Sequence, residues 1–158
     1  MLVRQASDAT QNGVALIEVL VAVLLLSIGL IGYSALQVRA VKATQSSLQR
    51  SAASILAANI IESMRANKSA AINPPYPYNM ANRCSAPVTN GSLVQNDLNA
   101  WFLSVQAALG SAESTCADIT CADVKSGAPG SCTVNIFWDD SRALGGQIKQ
   151  SVQLVGRL

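Results

Sequence analysis

A chain of 158 residues and 16.5 kDa suits one domain of ordinary size rather than a two-domain enzyme. With 11 basic and 9 acidic residues the net charge is +2, which leaves no electrostatic footprint for nucleic acid. The absence of histidine excludes His-based acid–base catalysis and His-ligated metal sites, and a composition 50% hydrophobic but only 4% aromatic makes any core mostly aliphatic.

The mean hydropathy of +0.30 is concentrated near the start. Residues Val14 to Leu36 carry a single charge, Glu18. As a helix this run is about 34 Å long at ~1.5 Å per residue, enough to cross a bilayer core of about 30 Å. From about Gln37 the composition is that of an ordinary soluble domain, with no internal repeat and no long low-complexity tract. Three accounts of the apolar run compete. A cleaved secretory signal would use Ser34-Ala35 as its small-residue site. A plain anchor needs only the apolar run. Neither gives Glu18 a role, and a carboxylate deep in a membrane segment costs about 2.5–3.5 kcal/mol on insertion scales unless it snorkels to the interface.

No proline precedes Pro74, and helical spacing continues past the apolar run through Val38, Val41, Leu48, Ala52, Ile55, Ile60 and Met64. The pattern predicts one helix from about Val14 to Ala66, with Asn67 as its C-cap and Pro74-Pro75 beyond. Its first half is apolar all round and its second half has one apolar face, so it needs a lipid or partner-helix environment first and a folded domain second. Gly29 and Gly32 inside it point either to close helix packing or to local melting on assembly. Asn73 to Asn79, with three prolines and two tyrosines, reads as an extended loop. A second helix is predicted from Leu93 to Leu109, capped by Ser92 and ended by Gly110, with Val94, Leu98, Trp101, Phe102, Val105 and Leu109 facing a core. The last third reads as strands. Cys132 to Trp138 alternates with Cys132, Val134, Ile136 and Trp138 on one face, and Gln147 to Val155 alternates with Ile148, Val152 and Leu154 on another. Asp139 to Arg142 and Gly145-Gly146 supply the turn between them, and a weaker strand lies near Asp118 to Val124.

No nucleophile–base pair, phosphate loop or metal motif is present, so no catalytic residue, cofactor or metal is expected and an enzyme reading is rejected. Asp139-Asp140 suits calcium by ligand hardness, but two adjacent acids without further ligands read as a solvated turn.

The segment Gly13-Val14-Ala15-Leu16-Ile17-Glu18-Val19-Leu20 resembles the class III signal of type IV prepilins: a short polar leader ending in Gly, then an apolar helix with Glu at its fifth position. Val14 stands where that family usually has Phe or Met, and Ala15 replaces the usual Thr. Met64-Arg65-Ala66-Asn67 and the run Phe137 to Arg142 resemble the PilV-type minor pilins, also called type IV pilus modification proteins. The resemblance implies a leader over 1–13, a membrane-spanning and filament-core half-helix over 14–36, and a periplasmic domain over 37–158. It implies prepilin peptidase cleavage between Gly13 and Val14, methylation of the new amine, and an assembly role for Glu18. Pattern and resemblance together give an α+β, pilin-like fold, a long helix packed on a small antiparallel meander.

The implied function is that of a minor pilin in initiation and assembly of a type IV pilus, at or near the tip. Its partners would be other minor pilins, the major pilin and a tip adhesin. The chain would reside in the inner membrane, with its domain in the periplasm, before assembly. The basic residues Arg4, Arg39 and Lys42 flank the apolar run on both sides, so this orientation rests on the resemblance. On the oxidising side, Cys84, Cys116, Cys121 and Cys132 are expected as two disulfides rather than a zinc site, for they lack paired C-x2-C spacing. The Gly/Pro/Ser-rich Lys125 to Ser131 segment favours Cys121–Cys132 across a hairpin with Cys84–Cys116 as the other pair, while sequence alone leaves the other two connectivities open. Two rivals remain. A minor pseudopilin of a type II secretion system shares the anchor and domain plan. A membrane-tethered periplasmic binding module needs neither processing nor Glu18.

Overall fold

The computed structural model describes residues 12–110, 113–122, 130–143 and 145–158. Helix α1 (Asn12–Ala66) runs through two units, one ending at Val41 and the other covering Lys42–Leu158.

In the first unit, every large apolar side chain from Leu16 to Val41 is more than half exposed. The hydroxyls of Ser27 and Ser34 donate back to Val23 O at 2.7 Å and Leu30 O at 2.8 Å, which satisfies them without water. Among the described residues, a Cβ added to Gly29 or Gly32 meets nothing within 4 Å. By length and composition, α1 contains one stretch able to cross a membrane.

In the second unit, α1 buries Ala53, Ala57, Ile60, Ile61 and Met64, a set at helical spacing. This corrects part of the expected apolar face. Leu48 and Ile55 are 64% and 60% exposed, because at ~100° per residue they fall on the opposite side of the helix from Ile60 and Met64. At Asn67 (φ −119°, ψ 53°) the helical path breaks, and the chain continues into the short α2 (Lys68–Ile72) instead of stopping. Asn73 to Asn79 is irregular, with a cis Pro74–Pro75 bond and Tyr76 at φ 54°. It delivers Tyr78 fully buried into the core, where the phenol donates to Asp97 Oδ2 at 2.8 Å.

Helix α3 (Leu93–Leu109) has the predicted limits. Ser92 caps it by accepting from Gln95 N–H at 3.3 Å, and its buried residues are the six read from spacing. Trp101 donates from Nε1 to Leu56 O at 2.8 Å, tying α3 to α1, and stands edge-on to Phe102. The sheet is an antiparallel meander in the order β1 (Met80–Arg83), β2 (Cys116–Ala122), β3 (Ser131–Trp138), β4 (Gln150–Arg157). Its inner face stacks Ala117 opposite Ile136, Ile119 opposite Val134, and Cys121 opposite Cys132. Gly156 sits opposite Cys132, where an added Cβ would lie 2.4 Å from Ile61 Cγ2; only glycine admits α1 so close to β4. The last strand begins at Gln150, later than the alternation predicts. Ile148 is therefore 78% exposed rather than on the face of Val152 and Leu154. The predicted Asp118–Val124 strand starts two residues earlier, and positions 123–129 lie outside the described residues.

Candidate functional site

The residues singled out from sequence fall into three places. Gly13 and Val14 lie in the first turn of α1, with their side chains and the preceding 1–11 segment outside the described residues. Glu18 follows about one turn later. It is exposed, among equally exposed Leu16, Ile17, Val19 and Leu20, and no hydrogen bond or ion pair holds it among the described residues. A carboxylate so placed loses water once the surrounding surface is covered, and no partner among the described residues replaces it.

The second place is the sulfur pairs. Cys121 joins Cys132 directly across the β2–β3 ladder, both buried, with the Cys121 sulfur 3.7 Å from Met64 Sδ. Cys84 joins Cys116, tying the segment after β1 to the start of β2. These are the two pairs preferred from sequence.

The third is the turn after β3. Asp139 is the solvated turn residue expected: its Oδ1 accepts Ser141 N–H at 2.8 Å. The hydrogen bonds from the Ser141 backbone and side chain, with Arg142 nearby, hold its carboxyl below the usual range. Asp140 is different. It is 3% exposed and accepts the Ser46 hydroxyl at 2.6 Å, its N–H donates to Gln147 O at 3.0 Å, and its carbonyl accepts Ala143 N–H at 2.9 Å. The pair is therefore not one solvated turn, because the second acid clasps the turn to α1. An open polar cleft of about 160 Å³ adjoins it, lined by Lys42, Gln45, Gln49, Ser114 and Arg142 among others. Among the described residues no group of three His, Cys, Asp or Glu side chains is placed to hold a metal. Sequence reasoning missed Asp140, whose partner is 94 positions away, and Tyr78, hidden in a proline-rich run. Trp138 was legible as an inward residue, but its buried Nε1 has no acceptor among the described residues.

The prepilin-like residues thus lie in the N-terminal half of α1, and the second unit is a domain stapled by two disulfides. A family model described as type IV pilin Tt1218 matches residues 35–135, and one described as the prokaryotic N-terminal methylation motif matches residues 8–34. No curated protein and no solved structure matches the chain significantly.

Proposed function

The chain belongs to the Tt1218-like family of type IV pilins, and from that premise we propose that it is a minor pilin acting in the initiation and assembly of a type IV pilus, at or near the tip. The observation that carries this reading is the exposed apolar half-helix beginning within the methylation motif, with Glu18 inside it. Such a surface is stable only against lipid or against other helices of its own kind. Before assembly the bilayer solvates it, with the domain on the periplasmic side. In the filament, neighbouring helices replace the lipid, and Gly29 and Gly32, open among the described residues, give those helices room to approach. Prepilin peptidase cleaves between Gly13 and Val14, and the freed amine is methylated. Glu18 then receives the positive amino terminus of a neighbouring subunit, which balances a carboxylate that lipid solvates poorly. Other minor pilins, the major pilin and a tip adhesin are the partners on this reading. The protein's role is structural and not enzymatic.

Glu18→Ala tests it. The variant is processed and stays in the membrane, because removing the carboxylate lowers the cost of lipid residence. It also leaves a neighbour's amine unpaired, at a cost on the order of 3–5 kcal/mol if the contact is dry. Expected is a many-fold lower recovery of the variant with sheared pili, with disulfides and domain unfolding unchanged. Equal recovery of wild type and variant contradicts the assigned role.

A further inference from the structure

Strand β4 is one margin of the sheet, and its outer side meets no other strand among the described residues. The register fixes which groups face outward. Leu158 N–H donates to Gly130 O at 2.9 Å, so that pair and every second pair along the ladder are hydrogen-bonded. Gly156, Leu154, Val152 and Gln150 therefore direct their amides and carbonyls to β3. Ser151, Gln153, Val155 and Arg157 direct theirs away. Arg157 O shows the direction, for it accepts Arg65 Nε–H from α1 at 3.1 Å. From Ser151 to Val155 a row of three N–H and three C=O groups, about 14 Å long, has no partner among the described residues.

The opposite margin is guarded. β1 has four residues with a register shift and follows three prolines. β4 has no proline, no bulge and no charge between Gln150 and Gly156. Exposed Val155 and Ile148 lie on and beside it. Long, flat, uncharged edges of this kind pair with further strands.

We propose that the outer edge of β4 receives an extended segment of a different chain, a β-strand of five or six residues with acidic residues at its ends. Lys149 and Arg157 bracket the edge and set that charge preference. A second copy fits poorly. Antiparallel pairing of β4 with itself requires a two-fold axis normal to the sheet. That pairing, centred on Gln153, sets Lys149 of each copy against Arg157 of the other, like charge facing like at both ends; that the foreign strand is met on assembly rests on the pilin reading above. The β1 edge of a second copy, antiparallel to β4, is too short to fill the row and brings Arg83 against Lys149.

Two measurements on the full-length chain test this. In the first, amide exchange over residues 150–157 is compared between protein in detergent and protein recovered with sheared pili. The outward amides of Ser151, Gln153 and Val155 exchange freely in detergent and slow by about tenfold or more on assembly. In the second, a photo-crosslinking residue at Val155 gives adducts to alternate positions of one extended, acid-flanked segment of another chain. Gln153→Pro abolishes those adducts, since it removes an outward amide that the β3 ladder does not use. Outward amides that stay fast in pilus-associated protein overturn the proposal and leave the pilin reading intact, as do adducts joining two copies of this chain, or adducts undiminished by Gln153→Pro. Absence of the protein from sheared pili overturns both. The exchange comparison needs no substitution and stands even if Gln153→Pro fails to fold.

Discussion

Gly156 shows how a single hydrogen side chain sets the spacing between helix and sheet. Gly156→Ala places a methyl within 2.4 Å of Ile61 Cγ2, so Ile61 must leave its position. A cost of about 1–3 kcal/mol is expected from overpacking. The cost shrinks in Gly156→Ala/Ile61→Ala, so the double variant is more stable than the sum of the singles predicts, which a chemical-denaturation cycle reads directly. Tyr78 carries a different signature. Burial first, then the hydrogen bond to Asp97 and its charge, push the phenol up to about 12, while Asn67 acts weakly the other way. The folded form holds the phenolic proton more tightly than the unfolded chain, where Tyr titrates near 10. Its stabilisation is complete below about pH 10 and is lost as pH rises through 12. The unfolding midpoint of the wild type is expected to fall steeply over that window, and that of Tyr78→Phe to fall less. Tyr78 was not legible as core, because proline spacing signals a loop and carries no information about where the loop points. Trp101 and Phe102 were legible because a 17-residue helix repeats its signal over several turns.

At the scale of elements, the local code was strongest where an element is long and one-sided. Helix α3 and strand β3 match their predicted limits to within a residue, since capping by Ser92, termination at Gly110 and strict alternation in β3 are all local effects. β1 carries only Met80 as a fully buried residue and is placed by its partner β2, so nothing in its own four residues announces a strand. The burial face of α1 was read from large side chains, whereas its buried set also includes the small Ala53 and Ala57. Two element-level links are testable. Ser46→Ala leaves the buried Asp140 carboxylate without its donor and should lower stability by about 2 kcal/mol in urea unfolding, while Asp139→Asn has a far smaller effect. The disulfides differ in the chain they constrain, with separations of 32 and 11 residues. Replacing Cys84 and Cys116 together by Ala is expected to cost about 4 kcal/mol, and Cys121 with Cys132 about 3 kcal/mol, by the loop-entropy relation.

For the whole molecule, the sequence separates two solvents. One stretch is long and apolar enough to cross a membrane, and the other folds as an α+β domain whose buried residues are mostly aliphatic. The position of Glu18 was legible because a charge in an apolar run is conspicuous; its partner was not, since no group in the same chain meets it among the described residues. On the proposed reading, cleavage between Gly13 and Val14 creates the amine that Glu18 meets. Intact-mass measurement with N-terminal sequencing, on protein extracted from membranes of cells with active prepilin peptidase, tests this most directly. A mature chain beginning at Val14 with a methylated amine is predicted. An uncut chain, or one beginning near Gln37, contradicts it.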